Sequence, residues 1–198
     1  MIWYVSYGSN LLAERFHSYL TGSDATGPFG AHPSAPWTGL PSEDRWLWID
    51  HALYFAGVSQ RWTGSSAFVS PEIGSERSLA HAYLIEDSQF AHLAAIENAV
   101  EAVPLVAPDS IAVGTCAVLQ IDTQGDTFRG KYDALLRLPD INGTPAVTVT
   151  SSSVRERGTP ADRYLDTIRR GIDSSPFDID ADTYLAQAIT RSATIFVP

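Results

Sequence analysis

Positive charge is scarce in this sequence. Lys and Arg number 13 against 23 Asp and Glu in 198 residues, for a formal net charge of −10. The cations never form a run; the densest places are Arg155 with Arg157 and the pair Arg169-Arg170. Binding a nucleic-acid backbone or an anionic membrane surface takes clustered cations, so both kinds of partner are set aside. Cysteine is nearly absent as well. Cys116, in the apolar run IAVGTCAVLQI, has no second cysteine to pair with, which points to a reducing compartment and to a small buried core residue. No apolar stretch reaches the roughly 18–20 residues that span a bilayer. The N-terminus lacks the basic and apolar regions of a secretory signal, and a soluble cytoplasmic protein is expected. Metal-ligand spacing is missing too. His17, His32, His51, His81 and His92 are scattered, and neither H-E-x-x-H nor C-x-x-C occurs, so no metal site is expected. His81, between Ala80 and Ala82 in a strand-like run, reads as a structural histidine.

What is present is an ordinary globular composition, 44% hydrophobic and 11% aromatic, in a length that suits one domain over residues 1–198. Ile2 to Ser6 is β-branched and aromatic, a strand pattern. From Leu11 the period changes: Leu12, Phe16, Tyr19 and Leu20 fall on one face of a helix, with Ser9 or Asn10 placed to cap it and Gly22 to stop it. Residues 22–45 hold four glycines and four prolines with almost no periodicity and read as a partly ordered flap. Strand-like runs follow at 51–59, 66–71 and 79–86. Asp87 or Ser88 should cap a second helix with Phe90, Leu93, Ile96 and Val100 along its apolar stripe. Two more strand runs, 115–122 and 132–139, precede Asn142-Gly143, a hairpin signal leading into PAVTVTS. A third helix opens at Thr159-Pro160, Asp180 or Asp182 suits the cap of a short fourth, and SATIFVP suits a last strand. The order predicts an α+β fold: a small mixed or antiparallel β-barrel with helices packed outside.

Two places could carry chemistry. A strand running through Gly8-Ser9-Asn10 into a helix presents unpaired backbone N–H groups, a setting for a carboxylate or an oxyanion. The same residues could equally serve only to cap the helix. Ser9 does not read as a nucleophile, because Tyr7-Gly8-Ser9-Asn10-Leu11 departs from G-x-S-x-G. Glu97 lies on or near the apolar face of its helix, where a carboxylate is costly unless paired or used. Burial there would suit acid–base work; a boundary residue reaching water is the alternative.

Together these stretches make the sequence similar to the γ-glutamylcyclotransferase family. Tyr7-Gly8-Ser9-Asn10-Leu11 after a strand matches the family's Y-G-S-N-L in full. Trp62, Gly64 and Ala67 in RWTGSSAFVSP fit its W-x-G-G-x-A. Leu93 and Glu97 fit L-x-x-x-E-G around its glutamate, and Tyr164 in TPADRYLDTIRRG fits an active-site tyrosine that opens a late helix. The matches run in the family's order over residues 3–171. The Pro/Gly segment resembles an actinobacterial-type branch of that family. Two positions depart: Ser65 replaces the second glycine, and Asn98 the glycine after the glutamate.

The resemblance implies a mixed α/β barrel that converts a γ-glutamyl amide to 5-oxoproline and free amine, without metal or cofactor. Glu97 would be the general acid/base. Tyr7, Gly8, Ser9, Asn10, Leu11, Gly64 and Tyr164 would bind the small-molecule γ-glutamyl substrate. A ligand-binding protein of the same fold that has lost turnover, with Ser65 and Asn98 reshaping the pocket, is the alternative. An interaction module using the acidic surface has only the net charge in its favour. The leaving amine and the oligomeric state are open at this level.

Overall fold

The computed structural model describes residues 1–126 and 129–193. The elements run, in chain order, β1 (Ile2–Ser6), a 3-10 turn (Ser9–Leu11), α1 (Ala13–Thr21), β2 (Glu43–Ile49), β3 (Leu53–Ser59), β4 (Gly64–Val69), β5 (Ser78–Ile85) and α2 (Asp87–Glu97). A short 3-10 turn (Pro108–Ser110) leads to β6 (Cys116–Val118), β7 (Ala134–Ile141), β8 (Thr144–Thr150), α3 (Asp162–Asp173) and α4 (Ala181–Ala193). Of the closing strand expected over 192–198, residues 192–193 end α4 and 194–198 lie outside the described residues. Among the described residues no helix is long and apolar enough to cross a membrane.

Six strands form one mixed sheet in the order β2-β5-β1-β8-β7-β6, with β1 antiparallel to β5 and parallel to β8. All five residues of β1 are buried. Trp3 and Val5 face a core shared with α3 and α4, while Ile2 and Tyr4 face one shared with α1 and α2. Helices on both faces explain why this strand reads as a continuous apolar run. The β7–β8 hairpin turns at Asn142 (φ 53°) and Gly143 (φ 75°), two left-handed residues in a row, as the Asn-Gly pair predicts.

The expected barrel does not close. β3 and β4 form a separate hairpin, buried on both faces because its residues enter both cores. β3 bonds on its outer side to the chain after β8, through Gly57 N–H to the Glu156 carbonyl (3.1 Å) and Gly158 N–H to the Phe55 carbonyl (3.2 Å). The outer edge of β4, which would have to zip to the sheet, is received by side chains. Ala67 N–H donates to the Tyr164 hydroxyl (3.1 Å), the Ala67 carbonyl accepts from Tyr132 (3.1 Å), and the Val69 carbonyl accepts from Thr150 (2.6 Å). Ser65 N–H, further along the same edge, donates to the Thr159 carbonyl (2.9 Å). Hydroxyl groups thus satisfy the edge where β4 faces the main sheet and keep the two sheets apart as an open seam.

Other local readings shift for physical reasons. Neither Ser9 nor Asn10 caps α1; both lie in the 3-10 turn, and extended Leu12 precedes the helix with no side-chain cap. Glu86, ahead of the predicted Asp87 or Ser88, caps α2 through a reciprocal capping box with Gln89. Asp180 does cap α4, accepting the Thr183 N–H at 2.7 Å, but that helix has 13 residues rather than being short. Cys116 is only partly buried. The Pro/Gly segment ends in β2 and is otherwise anchored: Ser23 and His32 exchange backbone bonds, and Gln89 donates to the carbonyls of Trp37 (2.9 Å) and Gly39 (2.7 Å).

Candidate active site

The seam holds a cavity of two lobes that share Glu97, Tyr132 and Tyr164. The inner lobe, about 30 Å³, lies against the end of β1 and is lined also by Tyr4, Tyr7, Gly8, Asn10 and Ala67. The outer lobe, about 270 Å³, adds Ser9, Arg15, Tyr19, His32, Arg61 and Lys131 among its walls.

Glu97 is the last residue of α2, and its side chain is 16% exposed. Its Oε1 accepts the Tyr19 hydroxyl proton at 2.7 Å, and Lys131 Nζ stands 3.9 Å from Oε2. Tyr19 accepts in turn from Arg15 (2.7 Å), four residues earlier on α1 and 1% exposed. Burial, then the nearby Glu97 charge, raises the Tyr19 hydroxyl well above its ordinary range, so it remains a donor. Arg15 also donates to His32 Nε2, and arginine has no acceptor, so His32 carries its proton on Nδ1. Burial, followed by the charges of Arg15 and Arg61, pushes His32 down to about 3 and keeps it neutral. Tyr19→Phe would strand both the Arg15 donor and Glu97 Oε1. We expect it to lower stability by about 1–3 kcal/mol. Thermal unfolding beside wild type checks this; an unchanged Tm would mean the hydroxyl contributes nothing.

Tyr164 stands on the first turn of α3. Its oxygen accepts from Ala67 N–H and lies within reach of the Ser9 N–H. With its lone pairs so engaged, its own proton has no acceptor among the described residues. Burial pushes the hydroxyl up to about 12, which keeps that proton in place. Gly8 is close by: a Cβ there would lie 3.2 Å from the Tyr164 oxygen and 3.2 Å from Ala67 Cβ. The turn that presents these groups is held from behind, where the Leu11 carbonyl meets His81 Nδ1 (3.0 Å) and the Asn10 carbonyl accepts from Tyr83 (2.8 Å). His81 Nε2 reaches Asp44 at 2.8 Å, so this histidine is structural, as its neighbours suggested.

The structure therefore brings Tyr7, Gly8, Asn10, Tyr164 and Glu97 to one lobe, and Ser9 with Glu97 and Tyr164 to the other. Tyr7 spends its hydroxyl on the Val149 carbonyl (2.7 Å). Asn10 is buried, donates to Tyr4 (3.2 Å), and leaves Oδ1 with no partner. Leu11 and Gly64, expected among the binding residues, line neither lobe. The Leu11 side chain is in the core. At Gly64 a Cβ would fall 2.6 Å from the Ala161 backbone nitrogen, so this glycine admits the chain leading into α3, the helix that carries Tyr164. The two departures also lie off the cavity. Ser65 Oγ donates to the Gly57 carbonyl (2.9 Å). Asn98 is fully buried and staples the end of α2 to residues 130–132. Its carbonyl accepts Gly130 N–H (3.0 Å), its Oδ1 accepts Tyr132 N–H (2.8 Å), and its Nδ2 donates to the Tyr132 carbonyl (3.2 Å). Lys131 sits between those bonds.

Sequence reasoning missed Arg15, Tyr19 as a polar partner, His32, Arg61 and Lys131. One signal was available: Lys131 is the only lysine of the chain. Among the described residues no three His, Cys, Asp or Glu side chains gather as they would around a metal ion.

No protein-family model and no curated protein matches this sequence. Solved structures do. A structure described as gamma-glutamyl cyclotransferase superimposes with a TM-score of 0.53 at 18% identity, over 93% of this chain and 86% of the other. A crystal structure of the uncharacterized protein loc79017 from Homo sapiens gives 0.55 at 18% identity, with the same coverage of 93% and 86%. Identity at that level speaks for the backbone and not for the chemistry. The chain has the γ-glutamylcyclotransferase-like fold.

Proposed function

We propose that the protein cyclises a γ-glutamyl amide to 5-oxoproline and releases the attached amine. The observation that carries this reading is the lobe shared by Glu97, Tyr164 and Gly8: a held carboxylate and an uncommitted hydroxyl proton face one space. The free α-amine of the glutamyl unit attacks its own γ-carbonyl carbon, forming the new C–N bond. Glu97 takes a proton from that nitrogen, with Tyr19 holding Oε1 so that Oε2 does the work. The Tyr164 hydroxyl, aimed by the amides of Ala67 and Ser9, donates to the carbonyl oxygen as it becomes an oxyanion. Glu97 then returns its proton to the leaving nitrogen, the old C–N bond breaks, and no proton is gained or lost overall. Asn10 Oδ1, buried without a partner, suits the α-amine as its acceptor. Within the Y-G-S-N-L stretch, Ser9 thus acts through the tyrosine it helps to orient and Asn10 acts directly.

The test is incubation with a panel of γ-glutamyl amino acids, γ-glutamyl amines and glutathione, quantifying 5-oxoproline and freed amine. Equimolar release from at least one compound is the expected result. Calorimetric binding of panel members without release would favour the ligand-binding alternative.

A further inference from the structure

The charge of the outer lobe is opposite to that of the protein. The chain carries −10 overall, yet here Arg15, Arg61 and Lys131 face a single carboxylate, Glu97, with His32 neutral. Low-dielectric walls strengthen such a local excess and favour an anionic ligand. The three cations are not equally available. Arg15 is committed to Tyr19 and His32 and packs over the Tyr19 ring at 4.4 Å. Arg61 donates to the carbonyls of Phe29 and Ala31. Lys131 Nζ stands 4.7 Å from the centre of the Tyr132 ring and has one partner within hydrogen-bond distance, Ser66 Oγ at 3.3 Å; Glu97 is an ion-pair partner further off, at 3.9 Å. An ammonium group has three N–H donors, so two remain for a ligand. Asn98 holds the backbone on both sides of Lys131 and fixes where its side chain starts.

We propose that Lys131 is a specificity-determining residue that receives a carboxylate on the leaving amine, so that the site selects γ-glutamyl conjugates of amino acids or peptides over conjugates of simple amines. This rests on the cyclotransferase reading. The inner lobe, about 30 Å³ with Gly8, Asn10 and Tyr164 on its walls, has no cation and has room for the reacting γ-carbonyl and α-amine rather than for a whole glutamyl unit. The leaving nitrogen then points to the outer lobe, and a carboxylate one carbon away from it comes to the Ser66–Lys131 side. A carboxylate so near Glu97 would be repelled without a cation between them.

Three compounds separate the possibilities: γ-glutamylalanine, γ-glutamylethylamine, which lacks the leaving-side carboxylate, and 4-aminobutanoylalanine, which lacks the glutamyl one and cyclises to 2-pyrrolidinone. Each is assayed as kcat/KM with wild type, Lys131→Met and Lys131→Gln, the last serving should the first not fold. Removing the leaving-side carboxylate is expected to cost wild type about tenfold to a hundredfold more than it costs either variant. Removing the glutamyl carboxylate should cost all three alike. Equal costs of the leaving-side carboxylate in every protein, or a coupling that follows the glutamyl carboxylate instead, would overturn the assignment and leave the cyclotransferase reading standing. No turnover of any compound by folded wild type would remove that reading and this inference with it.

Discussion

Glu97→Gln is expected to slow 5-oxoproline release by about 10²–10⁴-fold. The amide keeps the size of the carboxylate and can still accept the Tyr19 hydroxyl at the position of Oε1. It cannot take a proton from the attacking amine or return one to the leaving nitrogen. Glu97 ends its helix and is partly exposed, and its contact with Lys131 is a loose 3.9 Å. The substitution should therefore leave the melting temperature within a few degrees of wild type, which separates loss of chemistry from loss of fold. Product quantified beside a thermal melt checks both. Release at the wild-type rate by the glutamine variant would show that the proton travels by another group.

Gly171→Ala should cost about 1–3 kcal/mol of stability, or roughly 2–4 °C in Tm for each kcal/mol in a chain of this size. Gly171 sits in α3 where the helix crosses the turn after β1. A Cβ there would come 2.7 Å from Leu11 Cβ, 2.8 Å from the Leu12 nitrogen and 2.9 Å from the Leu11 carbonyl carbon. Two of those atoms belong to the backbone, so the whole turn must move. That turn carries Ser9 and Asn10, and the helix carries Tyr164, so activity should fall together with Tm. Arg170→Ala is the control. Its guanidinium meets Glu14 at 3.1 Å with both side chains exposed, and such a pair contributes about 0–1 kcal/mol. Equal melting temperatures for the two variants would mean that α3 and the turn are not in close contact.

The parts of the molecule that could be read from the chain are those where local pattern and tertiary demand agree. Ile2 to Val5 is β-branched and aromatic because the strand is buried on both faces, and Asn142-Gly143 reads plainly because few other pairs accept two left-handed residues in succession. Glu97 stood out as a carboxylate on an otherwise apolar helix face, whereas Tyr164 was marked only by the resemblance to the γ-glutamylcyclotransferase family. Elsewhere the pattern was misleading. β2 escaped notice because its sequence, EDRWLWI, opens with three charged residues and its middle is only partly buried at the sheet edge. Arg15 was hidden by its neighbour. Phe16 carries the apolar stripe of α1, and nothing local shows that the arginine beside it is buried against Tyr19 and His32. Asn98 looked like an altered pocket wall; only the fold shows it turned away from the cavity to hold residues 130–132.

The seam between β4 and the main sheet has a mechanical consequence. A backbone ladder resists shear along its whole length, whereas single hydroxyl groups act as separate fasteners. Tyr132, Tyr164 and Thr150 are such fasteners, and two of the three also line the cavity. The β3–β4 hairpin is thus a plate pinned at a few points beside a continuous sheet. The plate is also tied by main chain: Gly57 and Phe55 on its other side, and Ser65 at the start of β4, make backbone bonds to residues 156–159. The hairpin is therefore hinged along one margin by main chain and buttoned along the other by side chains, two of which also form the cavity wall.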